Sequence, residues 1–327
     1  MKLTEQKKQA MLRLSSKSGI IAALAIDQRG ALKKMIAACK PSGAEDRDII
    51  DFKTLVSKEL TPFASSILLD PEYGLAAARA RDSNAGLLLA YEKTGYDASQ
   101  KGRLPDLLNI WSAKRLKEAG ADAVKFLLYY DIDEEADINE QKHAFVERLG
   151  AECTAEDIPF YLELISYDAQ HSDSGSQAYA RIKPHKVNDM MKEFSKPRYG
   201  VNVLKVEVPV TMTFVEGYAD ADKVVYSQDE AARYFKQQSE STPLPFIFLS
   251  AGVSAELFQQ TLRFAKAAGS TFNGVLCGRA TWAGGVKPFI TEGADRAKNW
   301  LHAEGQRNIS QLNAVLQETA TPWFGKC

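Results

Sequence analysis

Apolar positions fall into two alternating patterns. Eight short runs, IIAALAIDQRG from Ile20 with its strand stopping at Asp27, SSILLD from Ser65, GLLLAYE from Gly86, ADAVKFLLYY from Ala121, PFYLELISY from Pro159, NVLKVEVPV from Asn202, PFIFLSAG from Pro245 and FNGVLCG from Phe272, read as buried strands. Between them the spacing turns helical, over residues 31–38, 44–60, a stretch from Pro105 through Leu108, Trp111 and Leu116, then 141–156, 187–194, 230–238 and 255–268. Asp70 followed by Pro71 predicts a helix start directly after the second strand, with aspartate as its cap. No consecutive strands are joined by a tight hairpin signal, so they must run parallel through crossover helices. Eight such units predict one domain over 1–327, a closed (β/α)8 barrel. It has an extra N-terminal helix marked by Met11, Leu12 and Leu14, and a C-terminal helical extension carrying Ile309, Leu312, Val315 and Leu316. An open doubly wound sheet is the runner-up, and the missing GxGxxG after the first strand counts against it.

Composition narrows the function classes. The 327 residues are 45% hydrophobic and 25% charged, with a net charge of -1 and no long like-charge block, which favours neither nucleic acid nor a membrane surface as partner. Cys39, Cys153, Cys277 and Cys327 lack CxxC spacing, as expected of reduced thiols rather than a zinc or disulfide framework. The N-terminus is polar and amphipathic and no apolar stretch is long enough to span a bilayer, so a cytoplasmic location is expected.

Against this ordinary background, four strands carry an ionisable residue where an apolar one belongs: Asp27, Lys125, Glu163 and Lys205. A charge facing the helix layer would be desolvated against apolar side chains, so the barrel lumen near its mouth is the tolerable place. Bland readings stand beside this one. Asp27 could equally cap the next helix, Lys125 and Glu163 could form a buried structural pair, and Lys205 could snorkel from an edge strand, although a closed barrel has no edge. Glu207 shares strand parity with Lys205, and its role stays open between second catalytic carboxylate and charge partner.

The last two strands end in LSAGVS and CGRATWAGG. Small residues there let backbone N–H groups approach an anion, and Ser250, Ala251, Gly252, Gly278 and Arg279 together favour a phosphate, where either loop alone could be a plain turn. The long connections at 168–183 and 211–227 are either lids or surface loops.

The segments AIDQRGALKKM, ASSILLDPEYG, LLLAYEKTGYD, DAVKFLLYYD, YLELISYD, VLKVEVPV, LSAGVSAELF and GVLCGRATWAGG together resemble the tagatose 1,6-diphosphate aldolase family. The resemblance implies a class I aldolase of the bacterial tagatose 6-phosphate route for lactose and galactose, acting on a phosphorylated ketose without a cofactor or metal. It further implies Lys205 as the Schiff-base lysine, Glu163 as general acid/base, and Lys125, Asp27 and Gln28 as groups that hold and polarise the substrate. Ser250, Gly252, Gly278 and Arg279 match its phosphate loops, and a homo-oligomer, dimer or tetramer, is expected from it. Ile26 departs from the phenylalanine more usual there, but by parity it faces away from the lumen. The alternatives are a Schiff-base aldolase for another ketose bisphosphate or a sulfofructose phosphate, and a metabolite-sensing regulatory protein on the same fold.

Overall fold

A computed structural model describes residues 3–93, 99–250 and 252–326. Eight parallel strands close into a barrel in chain order: β1 (Ile21–Ala25), β2 (Ser66–Leu69), β3 (Gly86–Ala90), β4 (Ala123–Tyr130), β5 (Phe160–Ser166), β6 (Val203–Val206), β7 (Phe246–Leu249) and β8 (Gly274–Cys277). Every strand falls within its predicted apolar run. Closure of β8 onto β1 depends on Gly274, whose φ of 144° is open to glycine and at which a Cβ would lie 1.9 Å from the Ile21 carbonyl oxygen.

Side-chain alternation divides the apolar residues into two shells. One fills the space between barrel and helices and includes Ile26, Phe126, Leu164 and Val206. The other fills the lower lumen with Ile21, Ala23, Leu88, Tyr161, Val203 and Ile247, and is closed from below by Met11 and Leu14 of the helix Glu5–Leu14 and by Trp323. Fully burying each large apolar side chain contributes about 1.5–3 kcal/mol, so this plug helps hold the N-terminal end of the barrel closed. Ionisable groups facing the lumen are left to the opposite end.

The helices depart from the sequence expectations in three places. The stretch from Pro105 contains only a short helix, Ala113–Glu118, capped by Ser112, and the chain before it instead bridges Leu107 to Glu92. No helix starts at Asp70; its Oδ1 accepts from the N–H groups of Glu72 and Tyr73 in a turn, its Oδ2 meets buried Lys53, and the helix Leu75–Ala80 begins a turn later. The helix predicted at 187–194 spans Gln177–Phe194, with Pro184 inside it. The eighth helix and extension are Val286–Glu292, Ala294–Trp300 and Gln306–Thr319. Among the described residues no helix is long and apolar enough to cross a membrane.

Candidate active site

At the C-terminal end of the barrel the charged residues from the strands meet. Glu163 and Lys205 are register partners on β5 and β6, which sets their side chains next to each other, and Glu163 Oε1 lies 2.8 Å from Lys205 Nζ. The other oxygen of Glu163 lies 2.7 Å from Lys125 Nζ. Lys125 is also 3.0 Å from Asp27 Oδ2 and 2.5 Å from Glu92 Oε1. Asp27 makes no helix cap, since the following helix, Gly30–Ala37, starts after Arg29 without a side-chain cap.

The sequence pattern therefore brings Asp27, Lys125, Glu163 and Lys205 into one cluster, but misses a fifth member, Glu92. A signal for it existed: Glu92 closes the run GLLLAYE much as Asp27 closes the run of β1. Arg29 was missed as well. Buried just past β1, it donates to Glu72 Oε2 at 2.6 Å and to the Glu92 carbonyl at 2.8 Å, which fixes the backbone that carries Glu92.

The electrostatics follow from these contacts. Burial alone would lower the pKa of Lys125, but Asp27, Glu163 and Glu92 outweigh it and hold the ammonium well above the usual lysine range. Burial pushes Glu163 and Asp27 up, yet Lys125 and Lys205 pull both below the ordinary carboxylate range. Glu92 goes the other way: burial raises it, and Lys125 only partly offsets the effect.

The cluster borders a cavity of about 190 Å³, completed by Gln28, Lys93, Leu127 and Tyr129. Gln28 Oε1 is buried without a hydrogen-bond partner among the described residues, which suits it to accept from a hydroxyl in the cavity. Gly278 sits against Gln28 and the end of β1, since a Cβ there would lie 3.3 Å from Gln28 Nε2 and 3.1 Å from the Ala25 carbonyl. Gly252, at a φ of 80°, lies under the Arg279 guanidinium, where a Cβ would come within 3.2 Å of Nη2. Arg279 is exposed and has no carboxylate partner among the described residues. The two loops thus meet through Gly252 and Arg279, beside Ser250 at the end of β7. Ala251 lies outside the described residues. A larger depression of about 470 Å³ on the outer helices contains Lys40, already paired with Asp48 at 2.7 Å.

Glu207 does not belong to the lumen cluster. The ladder of β6 ends at Val206, and the Glu207 carboxylate accepts from the Ser166 N–H at 2.7 Å and its hydroxyl at 2.5 Å. Strand parity had no hold on a residue beyond the ladder.

A closed (β/α)8 barrel that gathers two lysines and three carboxylates at the C-terminal ends of its strands has the outline of a lysine-dependent barrel enzyme. The chain belongs to the DeoC/LacD family of aldolases, whose profile matches residues 21–284. It is 68% identical to tagatose 1,6-diphosphate aldolase 2 of Enterococcus faecalis over 99% of this chain and 97% of that protein. It is 63% identical to aldolase 1 of the same organism, over 99% of both. Against tagatose 1,6-diphosphate aldolase 2 of Streptococcus pyogenes the identity is 61%, over 99% of this chain and 98% of that one. Among solved structures, the fructose-bisphosphate aldolase of Plasmodium falciparum superposes with a TM-score of 0.69 at 17% identity, covering 98% of each chain. A Schiff-base-forming fructose-1,6-bisphosphate aldolase gives 0.58 at 13% identity, covering 94% of this chain and 99% of that one. Identities this low speak to the fold alone.

Proposed function

We propose that this chain is a class I aldolase that splits D-tagatose 1,6-bisphosphate into dihydroxyacetone phosphate and D-glyceraldehyde 3-phosphate through a Schiff base on Lys205. The observation that carries the reading is the Glu163 carboxylate, which lies between Lys205 at 2.8 Å and Lys125 at 2.7 Å. The names of the high-identity relatives supply the substrate.

The chemistry then runs on the residues of the cluster. Glu163 takes a proton from Lys205, and the free amine adds to the C2 carbonyl. Glu163 returns the proton to the carbinolamine oxygen, water leaves, and a protonated imine remains. Asp27, held by Lys125, and Gln28 bind the substrate hydroxyls. Loss of the C4 hydroxyl proton sends the C3–C4 electron pair into the iminium; glyceraldehyde 3-phosphate departs and leaves an enamine. Protonation at C3 and hydrolysis release dihydroxyacetone phosphate and restore Lys205. Ser250, Gly252, Gly278 and Arg279 hold the phosphate nearer the ketone. Lys125 stays a cation throughout, a fixed charge that favours the anionic form of Glu163 each time it gives up a proton.

Borohydride reduction with dihydroxyacetone phosphate, followed by peptide mass analysis, should give a stable adduct on Lys205, and activity should survive EDTA. No adduct together with chelator-sensitive turnover would sink the mechanism. Comparing kcat/KM for tagatose and fructose bisphosphates and a sulfofructose phosphate tests the substrate, and a clear preference for the last would overturn it. The same reading makes the protein a cytoplasmic dimer or tetramer, to be checked by light scattering at assay concentration.

A further inference from the structure

Glu207 stands two residues past Lys205 yet faces a different space. Its Oε2 takes both hydrogen bonds from Ser166, and its backbone carbonyl is tied by Gln238 Nε2 at 2.8 Å. Opposite it lies Lys183, on the helix Gln177–Phe194 and only 6% exposed. The one ionic or hydrogen-bonding contact of Lys183 among the described residues is Glu207 Oε1 at 3.4 Å, too long for a good hydrogen bond. An ammonium has three N–H donors, and a single long contact leaves capacity for a further acceptor. Both Ser166 bonds go to Glu207 Oε2, which leaves Oε1 to the long Lys183 contact, and the N–H donors that Lys183 does not spend there are open to the space beside it.

Both residues line a cavity of about 260 Å³ between the loops after β5, β6 and β7 and the helix Ala255–Ala267. Its far wall is apolar, formed by Val253, Leu257 and Phe258, with Thr261 beside them. Ser250 also borders it, so an occupant would press on the loop that we assign to the substrate phosphate. A compact, fully hydrated phosphate suits such walls poorly, whereas a carboxylate on a short apolar body satisfies both ends.

We propose that this cavity is a second ligand site, for a small carboxylate with a short aliphatic body, held by Lys183 and packed against Val253, Leu257 and Phe258. Its occupancy acts on substrate affinity through Ser250.

Butanoate is the probe, titrated calorimetrically against the full-length protein, with butan-1-ol and inorganic phosphate as comparators. Butanoate should bind saturably and more tightly than either, and should still bind protein carrying the reduced dihydroxyacetone phosphate adduct on Lys205, its affinity changed by no more than the modest factor by which it shifts KM, because coupling between two sites is reciprocal. Lys183→Met should weaken it by roughly tenfold to a hundredfold, the worth of one charge-assisted hydrogen bond. Thr261→Trp, which keeps Lys183 but fills the cavity, should abolish binding, and it decides the matter alone if Lys183→Met does not fold. Saturating butanoate should shift KM for the ketose bisphosphate by at least about twofold, the size of a weak coupling between sites. Binding that the Lys205 adduct blocks would put the ligand in the lumen and overturn the proposal. So would butan-1-ol or phosphate binding as tightly as butanoate, affinity unchanged in both variants, or a KM that does not move.

Discussion

Lys125 and Lys205 face the same lumen from β4 and β6, and their surroundings differ in number rather than kind. Among the described residues Lys125, with 1% of its side chain exposed, has three carboxylates within ion-pair distance, and Lys205, with 6% exposed, has one. A caged ammonium is a fixed charge, held protonated by its neighbours, whereas Lys205 has one partner and an open side toward the cavity, as the proposed Schiff base requires. Lys186 shows that caging by itself makes no active site. It is bound by Asp131, Asp133 and Asp168 in the helix layer, where it ties the segments after β4 and β5 to the helix Gln177–Phe194. Lys142 extends the series to zero: it is buried, donates to the Tyr167 hydroxyl at 2.9 Å and has no carboxylate at ion-pair distance among the described residues.

The largest expected effect is on Lys205. Lys205→Met should lower kcat by roughly 10⁴-fold or more and abolish the borohydride adduct. Its folding stability should stay near wild type, because Glu163 keeps Lys125 as a partner; residual turnover near wild type would break the comparison. Lys125→Met should do the reverse in stability. Leaving Asp27, Glu92 and Glu163 without their shared cation should cost about 3–5 kcal/mol in denaturant unfolding, and a loss no greater than that of Lys205→Met would show that the cage does not matter.

Asp27→Asn keeps the shape but removes one charge, and should lower kcat/KM by roughly 10²–10³-fold with a smaller stability change than Lys125→Met. Steady-state kinetics beside a melting curve would separate the two.

Lys142 gives the smallest effect and a pH signature. Burial pulls its pKa down to about 8, with Glu134 and Asp131 only partly offsetting this. Between that value and the ordinary 10.5 the unfolded chain holds a proton that the folded chain has shed, so stability rises with pH across the window and the penalty is complete below it. Lys142→Met should remove that rise and gain about 1–3 kcal/mol at neutral pH; a wild-type stability curve that is flat from pH 8 to 10 would refute the assignment.

Much of the site was legible before any geometry. Asp27, Lys125, Glu163 and Lys205 stood out because a charge inside an apolar run is expensive anywhere except the mouth of a closed barrel. Glu92 escaped although it closes the run GLLLAYE, because by local rules a carboxylate at the last position of a run is no different from one that opens the following polar loop. Glu207 was placed with Lys205 by an alternation that holds only while ladder hydrogen bonds hold the pleat, and the ladder stops at Val206. Asp70 and the stretch from Pro105 look like helix starts locally. Asp70 is committed elsewhere, to buried Lys53, and the chain after Pro105 to the bridge with Glu92.

By itself the sequence determined the eight strands, their order and the residues whose burial demands a partner, because apolar runs and their breaks are local properties of the chain. Which partner each charge receives was decided only by ring closure. Residues 125, 163 and 205 lie on β4, β5 and β6 and residues 27 and 92 just past β1 and β3, and Coulomb energy depends on distances through space that no spacing along the chain encodes. That is why one lysine is caged by three carboxylates and the other, two strands away, is left with one.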